Sequence, residues 1–204
     1  MTRRARTGPR TAPATLVVLL LLALLLGGCG GDEHAGRPAA DPSTGGGAPA
    51  TLHLRTLPTT LRTGVVSGRL PRQDRQRAVR AVGRVVDGWI DAAYVGGTYP
   101  RRDFRRAFPG FTSGARRLAQ ADGSLMSNQV IGRRIDGVRP VRRVVAVDLL
   151  AAGGHAVGAT ARVQLGFRTT GALERRFVVR ARLALSRTDG WQVFGYDASK
   201  GSSA

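Results

Sequence analysis

The chain has 204 residues, with 32 Lys or Arg against 13 Asp or Glu and a formal charge of +19. One cysteine excludes an intramolecular disulfide framework, and the roughly 150 residues beyond position 50 suffice for one domain that folds without disulfide or metal. Of the 32 basic residues, 31 are arginine; Lys200 is the only lysine and Asn128 the only asparagine, a skew that nucleotide bias in a GC-rich genome would produce.

Residues 1–15 carry Arg3, Arg4, Arg6 and Arg10 and no acid, and an eleven-residue apolar run follows from Leu16 to Leu26. A positive segment, an apolar segment of about 7 to 15 residues and small residues are the order of an export signal, whereas a spanning helix needs roughly 20 apolar residues. Leu26, Gly27, Gly28 and Cys29 resemble the lipobox of bacterial lipoprotein precursors. The resemblance implies removal of residues 1–28 and lipidation of Cys29, which would become the first residue of the mature chain. Ala5, Arg6 and Thr7 do not continue a twin-arginine motif, so the general secretion route is expected.

Without residues 1–28 the chain keeps 28 basic and 13 acidic residues, a formal +15. A basic domain held at a membrane feels the negative surface potential, worth about 1 kcal/mol per Arg close to the surface. Nucleic acid is not expected as a partner where an exported protein resides. Residues 30–50 hold six glycines and three prolines, so 29–50 reads as the lipidated cysteine and a flexible tether with a reach of about 25 Å.

Residues 51–69 read as an extended arm leading into a domain over 70–198. From Pro71, a favourable first helical residue, Val79, Val82, Val86, Trp89, Ile90 and Ala93 recur at spacings of three and four, predicting an amphipathic helix that Gly96-Gly97 ends. Gly83 and Gly88 within it suggest close packing against another element. A second short helix is expected from Pro100, pairing Phe104 with Phe108 before Pro109-Gly110. Thr112 or Ser113 then caps a third, from about Gly114 to Ala121.

Beyond Ser124 the period changes to two. Val141 to Ala152 reads as a strand, Gly153-Gly154 as a turn, and Val157, Ala159, Ala161, Val163, Leu165 and Phe167 as the inner row of the next strand. Phe177 to Leu185 repeats the alternation after a Thr169 to Glu174 connection, and Asp189-Gly190 turns into a last strand, Trp191 to Asp197. The fold class is therefore α+β, with N-terminal helices packed on a curved four-stranded antiparallel sheet. Residues 199–204 are expected to form a disordered tail.

A long first helix, two short ones, long antiparallel strands and the closing segment Asp189 to Phe194 resemble the nuclear transport factor two superfamily, the cystatin-like cone. The resemblance would cover about residues 70–198. Its members include ketosteroid isomerase, scytalone dehydratase and polyketide cyclases, together with non-enzymatic binding and assembly domains such as accessory proteins of mammalian-cell-entry lipid transporters. Fold alone does not choose among them.

His34, His53 and His155 show no ligand spacing, so neither metal nor cofactor is expected, and no nucleophile elbow, phosphate loop or dinucleotide fingerprint occurs. The superfamily's enzymes place an acid or histidine inside the cone. If Gly153-Gly154 is a two-residue turn with regular pairing, Asp148 opposes Ala159 and shares its apolar face; a one-residue bulge sends it out. The same logic at Asp189-Gly190 places Phe194 and Tyr196 with Leu183 and Leu185. Asp148 and Tyr196 are thus the pocket candidates for a small-molecule isomerase or dehydratase. Asp87 and Asp91, four apart on the first helix, read as a solvated face.

The arginines support a different expectation. With the apolar rows matched, Arg162 opposes Arg182 or Arg180 and Arg168 lies near Arg176, and like charges directly across a sheet destabilise it. Arg101, Arg102, Arg105 and Arg106 add a basic turn. An anionic partner would relieve such a stripe: phospholipid headgroups, a cell-wall polymer or an acidic protein of an envelope complex. The leading expectation is a lipid-anchored, extracytoplasmic lipoprotein of the cell membrane, acting as a non-catalytic binding or scaffold module. The open sheet face would also allow a homodimer.

Overall fold

The computed structural model describes residues 57–203. The expected signal segment, Cys29, the tether and the first residues of the arm lie outside the described residues.

The first helix, α1 (Arg72–Ile90), buries Val79, Val82, Val86, Trp89 and Ile90 on the stripe that the spacing marks out. Pro71 is its N-cap in extended conformation, φ −55° and ψ 147°, rather than its first helical residue. The helix runs on through a wider π turn, Asp91–Val95, closed by Gly96 N–H donating to Asp91 O at 2.7 Å. The extra residue in that turn keeps Ala93 and Tyr94 on the buried side. Gly83 gives close approach: a Cβ there would lie 2.9 Å from Leu61 Cδ2, so that side chain would have to shift, whereas at Gly88 the nearest atom would be Pro109 Cγ at 3.6 Å, an ordinary contact.

The short helix expected from Pro100 does not form; the chain there is turn and coil. Local side-chain bonds compete with the helix: the Asp103 carboxylate accepts from Arg105 N–H at 2.8 Å, and Arg101 Nη1 donates to Ala92 O at 2.7 Å. Phe104, Ala107, Phe108 and Phe111 are still buried, so the segment plugs the core without being regular. Helix α2 (Ser113–Ala121) follows, capped by the Thr112 side chain accepting from Ala115 N–H at 3.3 Å. A single-turn helix, α3 (Gly123–Met126), comes next. No helix among the described residues is long and apolar enough to cross a membrane.

The sheet has five strands and is mixed, not four and antiparallel. Its spatial order is β1 (Thr60–Ser67), β2 (Gly137–Ala152), β3 (His155–Thr170), β4 (Arg176–Arg187) and β5 (Trp191–Ser203). Strand β1 is the arm: it lies parallel to β2, with Thr60 beside Val144 and Ser67 beside Leu150. A parallel neighbour needs a long crossover, which α1 and the segments after it supply. Residues 199–203 are not a disordered tail either. They pair with β4, Ser199 against Arg180 and Ser203 against Arg176, and so satisfy the backbone groups of that strand.

One face of the sheet packs on the helices. Val145, Val147 and Leu149 of β2, Ala159 to Phe167 at every second residue of β3, and Phe177 to Leu185 likewise on β4 form its buried rows. Phe167 stacks on Phe177 at 5.2 Å between centroids and meets Tyr94 from the π turn at 6.0 Å. Arg143 interrupts the inner row of β2. Its guanidinium is buried and reaches Asp91 at 2.8 Å and Asp87 at 3.0 Å, so these two acids, partly solvated as their spacing suggests, also tie α1 and its π turn to the sheet.

Candidate functional site

Asp148 and Tyr196 do not come together. The turn at Gly153-Gly154 has two residues and pairs Ala152 with His155, but Leu150 pairs with Gly158 and Ala151 with Ala156, leaving Val157 as a bulge. That extra residue moves Asp148 opposite Thr160, onto the outer face. Its Oδ1 accepts from Val65 N–H at 2.8 Å and from Arg162 Nη2 at 2.9 Å. Gly64 makes this possible, because a Cβ there would fall 1.9 Å from the same oxygen.

A second bulge, at Phe194, separates the pairs Leu185 with Val193 and Ala184 with Gly195. Val193 therefore takes the buried place expected for Phe194, which is exposed. Tyr196 is on the inner side opposite Leu183, as its spacing suggests, and its hydroxyl donates to Asp122 Oδ2 at 2.7 Å. Partial burial and the Asp122 carboxylate both push the phenol pKa up, which holds the proton on Tyr196.

The outer face carries the arginines in register. Arg162 pairs directly with Arg182, and Gln164 with Arg180. Nearer the start of β2, Arg139 pairs with Arg168 and Arg168 with Arg176, three arginines in line across three strands. All six of these arginines are exposed. Arg162 is bonded to Asp148, and Arg182 lies opposite Asp197. Arg139, Arg168, Arg176 and Arg180 have no ion pair among the described residues. A shallow depression of about 340 Å³ lies between Arg162, Arg180, Arg182, Asp197 and Ser199.

The basic turn divides into two kinds of residue. Arg101 is structural: it donates to Ala92 O and Asp103 O, and its guanidinium sits 4.2 Å over the Phe104 ring. Arg102 and Arg106 are exposed, and Arg105 pairs with Asp103 at 2.6 Å. Hydrogen bonds from Arg105 hold the Asp103 carboxyl well below the usual range. Among the described residues no group of His, Cys, Asp or Glu converges as a metal site would require.

Sequence reasoning missed a buried polar cluster on the inner side. Asn128 Nδ2 donates to Tyr94 O at 2.9 Å and to the Tyr99 hydroxyl at 3.2 Å, and Tyr99 in turn donates to Tyr94 O at 2.9 Å. Lys200 Nζ donates to Ser127 O at 2.7 Å and to Asn128 Oδ1 at 3.2 Å, lying between the Tyr94 and Phe177 rings. Burial pushes the Lys200 ammonium down to about 8 and raises the phenols of Tyr94 and Tyr99. The signal was present in the composition, since the lone lysine and the lone asparagine are partners.

Comparison of the chain with protein-family models, with curated proteins and with solved structures returned no significant match.

Proposed function

We propose that this is a lipid-anchored protein of the extracytoplasmic membrane face, a non-catalytic binding module whose outer sheet face engages anionic headgroups. The observation that carries the reading is the in-register row Arg139, Arg168 and Arg176, unpaired with any acid among the described residues. Cross-strand like charges destabilise an isolated sheet, and an anionic surface reverses that sign, at about 1 kcal/mol per arginine brought close to it. The lipobox-like Leu26 to Cys29 supports the anchor. An anchor with two or more acyl chains holds stably where one chain does not. A long first helix packed on one face of long antiparallel strands supports kinship with the cone-like nuclear transport factor two superfamily.

The test is cosedimentation with vesicles. Residues 51–204, which lack the anchor-bearing segment, are expected to bind anionic vesicles less as salt rises, and to lose that binding when they carry Arg168→Glu and Arg176→Glu. Equal binding to neutral vesicles, or binding indifferent to both arginines, would sink the sheet-face reading. For the anchor, Cys29→Ala is expected to release the protein from the membrane fraction or to leave the precursor unprocessed. Unchanged lipid labelling of that variant would refute it.

A further inference from the structure

We propose that the groove between α1 and the turn ends of the sheet binds a single-chain amphiphile with an anionic head. This inference does not depend on the anchor or on the arginine rows, none of which line the groove.

The groove has a volume of about 860 Å³, within the range of small-molecule sites. One wall is the α1 stripe Ala78, Ala81, Val85 and Gly88, spaced by three and four and so on one helix face; Ala78 is itself buried in the core, and Ala81 and Val85 pack against its edge. Facing it are Pro109-Gly110 and the strand ends at His155, Arg187 and Trp191. The walls thus come from one helix and from the two tight hairpins of the sheet.

Among the lining side chains Ala78, Ala81, Val85 and Pro109 offer no hydrogen-bonding group, and Trp191 offers one donor. An extended polar ligand would lose its bonds to water there without replacement, whereas a hydrocarbon chain has none to lose and gains from leaving water. The rim has the opposite character. Arg80 and Arg84 stand on the helix wall and Arg187 with His155 on the other. The only acid lining the groove, Asp74, is paired with Arg77. Arg80, Arg84 and Arg187 have no ion pair among the described residues. Guanidinium forks on two walls can grip one carboxylate or phosphate head bidentately. Apolar lining side chains beside exposed, unpaired arginines therefore select an acyl chain ending in an anion.

Photo-crosslinking tests this with the full chain in neutral phosphatidylcholine nanodiscs and palmitic acid carrying a diazirine on its chain. Adducts are expected on the peptides that contain Ala81 to Gly88 and Trp191. Arg84→Glu with Arg187→Glu should lower labelling about tenfold, in line with the loss of charge-assisted contacts, while Arg84→Lys with Arg187→Lys should retain most of it. Ala81→Trp, at a partly buried position whose side chain lines the groove, should block the groove, with far-UV circular dichroism checking that the variant is folded. Competition by unlabelled palmitate alone would assign a carboxylate head, and competition by lysophosphatidic acid alone a phosphate head. Adducts scattered over the chain, equal labelling by a diazirine-bearing fatty alcohol, or labelling indifferent to Ala81→Trp would overturn the proposal. Arg168→Glu with Arg176→Glu should label like the wild type, so failure of the sheet-face reading and failure of the groove are told apart.

Discussion

Lys200, the only lysine of the chain, donates to Asn128, its only asparagine, at 3.2 Å. Its ammonium lies 5.5 Å from the centroid of the Tyr94 ring and 5.4 Å from that of Phe177. Arginine's planar fork is not interchangeable with it there. Lys200→Met should leave Ser127 O and Asn128 Oδ1 without their donor, costing roughly 1–3 kcal/mol, and Lys200→Arg should also destabilise. Urea unfolding midpoints check both; an unchanged midpoint in Lys200→Met would refute a structural role for the ammonium.

The same group sets a pH dependence. Its pKa is about 8 in the folded protein and about 10.4 in an unfolded chain. Between these values the unfolded state binds more protons, so this group makes stability rise with pH from about 8 toward 10.4. The phenols of Tyr94, Tyr99 and Tyr196 are raised on folding, so they act in the opposite sense once pH passes about 10. A gain in urea midpoint between pH 7.5 and 9.5 is therefore expected in the wild type, and its absence in Lys200→Met.

Arg143 is the clamp between β2 and α1. Removing a fully buried ion-pair partner costs about 3–5 kcal/mol, but Asp87 and Asp91 are 37% and 52% exposed and stay hydrated when their partner is lost. Arg143→Met should accordingly cost about 1–2 kcal/mol, below that range. Hydrogen exchange should show α1 opening more readily than β3 and β4. Equal change in all three would place the arginine's role elsewhere.

Asp148 and Gly64 are coupled by contact. Gly64→Ala forces a Cβ to within 1.9 Å of Asp148 Oδ1, so something must move, and either the Val65 or the Arg162 bond is lost with it. Asp148→Ala removes both bonds but also the obstacle. The double variant should then be less destabilised than the sum of the singles, with an interaction energy on the order of 1 kcal/mol or more. Strict additivity in denaturant unfolding would contradict this geometry.

The legible parts of the fold are those in which burial repeats with a fixed period. Val79 to Ala93 announces α1, and the alternations Ala159 to Phe167 and Phe177 to Leu185 announce β3 and β4, although Val157, expected in the first of these inner rows, is exposed. Register was harder, because the bulges at Val157 and Phe194 are each one residue that composition does not mark, yet each turns its neighbours to the opposite face. Asp148 left the inner face for this reason. Strand β1 hides behind threonine and glycine, since its pairing depends on Gly64 admitting Asp148 and Gly83 admitting Leu61, both long-range facts. Ser199 to Ser203 reads as a polar tail because the partner that orders it, β4, supplies backbone bonds rather than a side-chain pattern. The groove wall of α1 is not legible in the sequence because Ala78, Ala81 and Gly88 are small residues that fit a helix's core edge as well as a ligand wall.

The parallel pairing of β1 gives the domain a direction. The chain joins the sheet beside Val144 and β5 ends beside Arg176, both toward the end where Arg139 and Arg168 lie, while both tight turns, with His155, Arg187 and Trp191, are at the other end. From Val144 to Ala152 is roughly 26 Å along the strand. The arginine row and the groove therefore lie at opposite ends of the sheet, so a ligand held at one leaves the other open.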